Sequence, residues 1–192
     1  MTQSSAKRYN WDSLIEMAGI LTNGDQKAMG EIAQLVRGVF AAEHREWCEE
    51  MDVMDGNDPH EQTRDIFAYW LTGYLALDDE DKNKDKNPSA EFGAYIDWKE
   101  MTEEVVAQLT AADKQLGYSL DFEKIAFSGE EFTDQALNVI GNYLLSKGFA
   151  LLSLNTNSDC YHLFVIQDKD RDRLTRLAQD VDFRFVKFGG TS

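Results

Sequence analysis

The chain has 192 residues, 43% apolar and 11% aromatic, with a net charge of −16. That composition belongs to a folded chain long enough for one large domain or two lobes with a core. The charge argues against phosphate backbones and anionic membrane surfaces as direct partners, since both need a basic face. Cys48 and Cys160 are the only cysteines, which is no disulfide framework. The most apolar run, from Ile66 to Leu77, is short of the roughly 20 residues that span a bilayer. With a polar first ten residues, the expectation is a soluble, reduced, cytoplasmic protein.

Residues 11–22 read as a helix, with Trp11, Leu14, Ile15, Ala18 and Leu21 at helical spacing and Asn10 placed to cap. Asn23 to Asp25 is a stop followed by a new cap. A long helical pattern then runs through Met29, Ile32, Val36, Phe40, Trp47 and Met51, up to the turn Asp55 to Pro59. A third helix is expected from His60 to about Leu77. Asp78 to Pro88 contains no apolar residue and is the clearest break in the chain. The organisation expected is therefore a helical lobe over 1–77, an acidic polar linker over 78–90, and an α+β lobe over 91–192. Residues 1–97 hold 20 acids and 9 bases, and residues 98–192 hold 15 and 10, so the N-terminal part carries most of the excess charge.

A fourth helix is expected from Trp98 to Leu116, with Asp97 and Glu100 at capping-box spacing, Trp98 and Met101 in its apolar stripe, and Gly117 as its stop. The remainder alternates. Lys124 to Phe127 reads as a short strand. Ser128 and Glu131 form a second capping-box pattern that opens a helix closed by Gly148. Phe149 to Leu154 and Cys160 to Gln167 read as a hairpin around a polar turn. A helix capped by Asp168 and a last strand from Phe183 to Phe188 follow. The order is β-α-β-β-α-β, so the expected fold is α+β: an N-terminal helical lobe plus a C-terminal ferredoxin-like antiparallel sheet. Strands 149–154 and 160–167 are apolar on both faces, so the sheet needs cover on both sides. The N-terminal helices, or a second subunit, are expected to supply the second layer.

Candidate chemistry is sparse. His44 and Cys48 share a helix face, and Cys160 and His162 share a strand face, so together they could form a tetrahedral metal site. Neither pair has a zinc-finger spacing, and buried cysteine commonly acts as a small apolar residue. From Asp79, oxygen side chains at Asp81, Asn83, Asp85 and Asn87 echo a calcium loop. Lys84 stands where that loop needs glycine, and Ala90 where it needs a bidentate glutamate. No nucleophile elbow, phosphate loop or dinucleotide fingerprint occurs. No cofactor is expected.

The segments Tyr95 to Glu100, Leu116 to Tyr118, Lys147 to Leu152 and Ser158 to Val165 resemble a family of uncharacterised bacterial proteins that carries only a domain-of-unknown-function label. The likeness lies in the C-terminal half. It implies a bacterial cytoplasmic protein and supplies no catalytic residues.

The function expected is therefore a non-catalytic, acidic protein-binding module, such as a bacterial inhibitor or immunity-type protein, that meets a basic protein. The contact residues expected are Asp78, Asp79, Glu80, Asp81, Asp159 and His162. The alternative is a small-molecule or metal-dependent enzyme with its site between the helical lobe and the sheet. The sequence leaves the oligomeric state open.

Overall fold

The computed structural model describes residues 10–38, 59–73, 92–129 and 131–190, with the backbone alone for 34–38 and 59–62. Helices α1 (Trp11–Leu21), α2 (Gln26–Gly38) and α3 (Pro59–Leu71) precede strand β1 (Gly93–Asp97). Helices α4 (Thr102–Leu116) and α5 (Thr133–Ser146) follow, then β2 (Phe149–Leu154), β3 (Cys160–Gln167), α6 (Arg171–Asp180) and β4 (Phe185–Phe188). The chain is α+β, with helices at the N-terminal end and a four-stranded sheet in the C-terminal part, as expected. The expected linker 78–90 and the second half of the long helical pattern lie outside the described residues.

Local chemistry sets several boundaries. The Asn10 side chain accepts the Ser13 amide at 3.3 Å and so opens α1, and Asp25 Oδ1 accepts the Ala28 amide at 2.8 Å at the start of α2. Gly117 ends α4 in the left-handed region at φ 72°, its N–H bonded to the Asp113 carbonyl. The side chain of Asp113 is buried and accepts the Leu120 amide at 2.9 Å, which fixes the turn after α4. Burial raises the pKa of that carboxyl and the amide bond opposes the rise.

All strand pairs are antiparallel, and the order across the sheet is β1-β3-β2-β4. Ala94 and Ile96 of β1 lie opposite Leu163 and Tyr161 of β3, on the face toward α4 and α5. Gly93 and Tyr95 lie opposite Phe164 and His162, on the face toward the N-terminal helices. Gly93 is required by close approach, because a Cβ there would sit 2.4 Å from the Leu163 carbonyl oxygen. Residues Ala150 to Leu154 and Leu163 to Ile166 are all buried, so the two central strands are covered on both faces, as their two-sided apolar pattern requires.

The N-terminal helices provide that second layer. Helix α1 packs on β3, Phe67 of α3 meets Phe183 with ring centroids 5.9 Å apart, and α1 is tied to α6 by Ser13–Asp180 and Glu16–Arg173 hydrogen bonds. Helix α6 thus joins the N-terminal layer and does not share a face with α5. The reason is topological. Crossovers between parallel strands are right-handed. Here β1 to β2 and β3 to β4 each step over one strand in the same direction, while their starting strands run opposite ways. Right-handed connections of that kind land on opposite faces. Two helices on one face, the ferredoxin-like expectation, would need the second crossover to step back.

The expected strand at Lys124 to Phe127 is absent. Phe122–Lys124 is a single 3-10 turn, and Ile125 and Phe127 pack against the core from an extended segment with no ladder partner. Their alternation records one dry side, which a packed loop also needs. The first strand is instead Gly93–Asp97. Helix α4 begins at Thr102, because Trp98 and Lys99 form a turn anchored on Asp97. Helix α5 begins at Thr133, and Glu131 is used one turn earlier, where its carboxylate accepts the Ser128 and Gly129 amides.

Candidate functional site

Two constellations stand out. The first is a chain of polar groups that leads out from the buried ring of His162. The ring is fully buried and stacked edge-on by Tyr69 of α3 and Tyr95 of β1, at 4.9 and 5.3 Å between centroids. Thr72 Oγ1 donates to the Ala68 carbonyl at 2.9 Å and lies 3.4 Å from His162 Nδ1. With the single hydroxyl proton committed to that carbonyl, the oxygen accepts, so Nδ1 carries the ring hydrogen. Nε2 is then the acceptor, and it faces Cys160 Sγ at 3.7 Å. Ser158 Oγ lies 3.0 Å from that sulfur and 2.6 Å from Thr156 Oγ1, and Arg64 Nη2 donates to the Thr156 carbonyl at 2.8 Å.

This is the outline of a nucleophile, a base and an orienting group. Its electrostatics oppose that use. Burial, and secondarily the Arg64 guanidinium, hold His162 down at a pKa of about 3. A base that weak does not draw a proton from a thiol, whose ordinary pKa is about 8.5. A catalytic base works best with a pKa near the operating pH. The polar contacts run from the buried ring out to exposed Ser158 and tie the β2–β3 hairpin to α3.

The second constellation is an open groove of about 930 Å³ between the N-terminal ends of α4 and α5 and the loop that joins them. Its apolar floor includes Val106, Phe122, Ile125, Phe127 and Tyr161. Three large side chains at its mouth face water: Trp98 is 51% exposed, Met101 69% and Phe132 76%. Met101 and Phe132 occupy the N-cap positions of α4 and α5, where neither side chain caps. Serine, threonine, aspartate or asparagine is strongly preferred there, and an apolar residue forgoes about 1 kcal/mol of helix stability. Neighbouring groups supply part of the capping. Glu100 Oε1 accepts the Met101 amide, and Gln135 Oε1 accepts the Phe132 amide, both at 3.2 Å. The Thr133 hydroxyl bridges the Trp98 and Glu100 carbonyls at 2.7 and 3.1 Å and joins the two helix starts.

Carboxylates Glu100, Glu103, Glu123, Glu131 and Asp134 surround the apolar mouth, against one cation, Lys99, among the described residues. The amide hydrogen bonds from Ser128 and Gly129 pull Glu131 down to a pKa of about 2, so it stays anionic. The arrangement offers shape, apolar area and negative potential.

The sequence-predicted site residues separate. Cys160 and His162 come together, while His44 and Cys48 lie outside the described residues, as do Asp78, Asp79, Glu80 and Asp81. Among the described residues no three His, Cys, Asp or Glu side chains group as metal ligands. Asp159 is exposed, and its carbonyl accepts the Trp98 amide at 3.2 Å. His162 is no surface contact, because Tyr69, Tyr95 and Thr72 enclose it. The residues that sequence reasoning missed are Trp98, Met101 and Phe132. The first two were read as a buried helix stripe, and their helix in fact starts after them. The signal that could have found Phe132 is a large apolar residue between Glu131 and Asp134 at a helix start.

Fold and groove together define a two-faced α+β protein with an open apolar groove beneath an acidic rim. The chain belongs to the family described as Domain of unknown function (DUF6630), which matches residues 13–189 and so takes in the N-terminal helices as well as the sheet. No match was found among curated proteins or solved structures. Among the described residues, no helix is long and apolar enough to cross a membrane.

Proposed function

We propose that this chain is a non-catalytic protein-binding module whose docking surface is the groove between the starts of α4 and α5. The observation that carries the reading is the trio Trp98, Met101 and Phe132, exposed on one groove, the last two at N-cap positions where polar residues would serve the helices better. Contiguous exposed apolar surface rimmed by polar groups is typical of interaction sites. Aromatic residues and methionine are enriched in the cores of protein interfaces. The acidic rim supports a basic partner, and such a match mainly raises association rate and specificity. An inhibitor that covers a basic enzyme is one protein of this kind.

The test places a photo-crosslinking residue at position 132 and, as a control, at position 186, since Val186 is also an exposed apolar residue but lies on β4. The expected result is a protein adduct from position 132 alone. The purified partner should then lose affinity tenfold or more with Phe132→Ser or Met101→Ser, and keep it with Val186→Ser. Equal capture from both positions, or affinity indifferent to Phe132 and Met101, would overturn the reading.

A further inference from the structure

The groove already holds a cation of its own. Lys99 Nζ lies 4.4 Å from the centroid of the Trp98 ring, a cation–π contact on a half-exposed indole. The Trp98 amide donates to the Asp159 carbonyl at 3.2 Å, its carbonyl accepts the Thr133 hydroxyl, and the Lys99 amide donates to Asp97 Oδ1 at 2.8 Å. The backbone is therefore fixed, while Lys99 is exposed and its ammonium sits over the ring, in the field of the nearby carboxylates. The one positive side chain among the described residues of the groove thus marks the place where a cation is favoured.

Resting on the docking reading above, we propose that the segment the groove takes is a basic amphipathic one, and that one of its arginine or lysine side chains replaces Lys99 on Trp98 while bulky apolar side chains cover Met101 and Phe132. Charge complementarity selects this occupant. Glu100, Glu103, Glu123 and Asp134 around the mouth favour a cationic segment and repel an acidic one. A second copy of this chain, at net −16, brings excess negative charge to the same surface. Arginine is the better fit, because its planar guanidinium stacks on an indole and holds its hydration less tightly than an ammonium. Lys99 is then an internal competitor. It lowers affinity for the ligand it mimics and keeps the ring covered when no partner is present.

The experiment uses the full-length purified chain and three short synthetic peptides: arginine with leucine at helical spacing, glutamate with leucine in the same pattern, and arginine with serine. Binding is read by fluorescence anisotropy at low and high salt for wild type, Lys99→Gln, Trp98→Leu and the double variant. Only the arginine–leucine peptide should bind well, and salt should weaken it. Lys99→Gln should tighten binding roughly threefold, the size expected of one exposed cation–π contact. That gain should vanish in the Trp98→Leu background, the non-additivity of two groups that share a partner. An equal gain with and without Trp98 would reduce Lys99 to a repulsive charge and overturn the replacement. Equal binding of the glutamate–leucine peptide would overturn the basic occupant. A photo-adduct at position 132 with a neutral or acidic protein segment would end this inference and leave the docking reading standing. An adduct with a second copy of this chain, with a dimeric solution mass, would also end it.

Discussion

Acid should unfold this protein through one buried side chain. His162 has a pKa of about 3 in the folded chain against 6.5 for a free imidazole. The unfolded chain therefore takes up the proton first as pH falls. Stability is full above about pH 6.5 and is withdrawn as pH drops toward 3. Integrating that difference from near pH 7.5 to near pH 5 gives a loss of about 2 kcal/mol, and the loss reaches about 4 kcal/mol by pH 3. The assay is urea unfolding, followed by tryptophan fluorescence, at those first two pH values. It compares wild type with His162→Gln and His162→Leu, neither of which titrates. His44 and His60 remain in every protein, and carboxylates such as Glu131 titrate below this window when unfolded, so both subtract out. The expected result is that wild type loses about 2 kcal/mol more than either variant over the interval. An identical pH dependence in wild type and variants would refute the claim that His162 is held neutral by burial.

Three further outcomes follow from the same packing. Thr72→Val removes the oxygen that accepts from His162 Nδ1 and should cost about 1–3 kcal/mol in urea unfolding, the penalty for a buried donor left without a partner. Gly141→Ala should destabilise by about 1–3 kcal/mol, because a Cβ there would meet the Phe188 carbonyl oxygen at 2.4 Å and push β4 off α5; an unchanged melting temperature would count against that contact. Phe164→Ala removes a fully buried ring from the face under the N-terminal helices and should cost about 3–5 kcal/mol. The corresponding truncation of exposed Phe132 should leave stability nearly unchanged.

The sequence carried the hairpin of β2 and β3 to the residue, because apolar positions on both faces of each strand and a polar turn leave one solution. It also carried the need for a second layer, since two-sided apolar strands cannot face water. The placement of α6 was not legible from periodicity. It depends on which edge β4 joins, and a four-residue strand holds little information about its neighbour. Gly93–Asp97 was missed for a similar reason: five residues ending in Asp97 look like the approach to a helix. The groove was hidden by a reasonable rule, that large apolar residues beside a helical stripe belong to the core. Trp98 and Met101 break it because the Asp97 turn delays the helix until Thr102. The polar cluster at Cys160 and His162 was visible as a pair, but only burial shows that the histidine stays neutral.

Hydrogen exchange on the complex with a partner captured from position 132 reads the groove itself. New amide protection is expected over 98–106 and 122–135, weakened at high salt and absent with Phe132→Ser. Protection confined to the 155–159 hairpin or to the β4 edge, with the groove amides unchanged, would contradict docking at the groove.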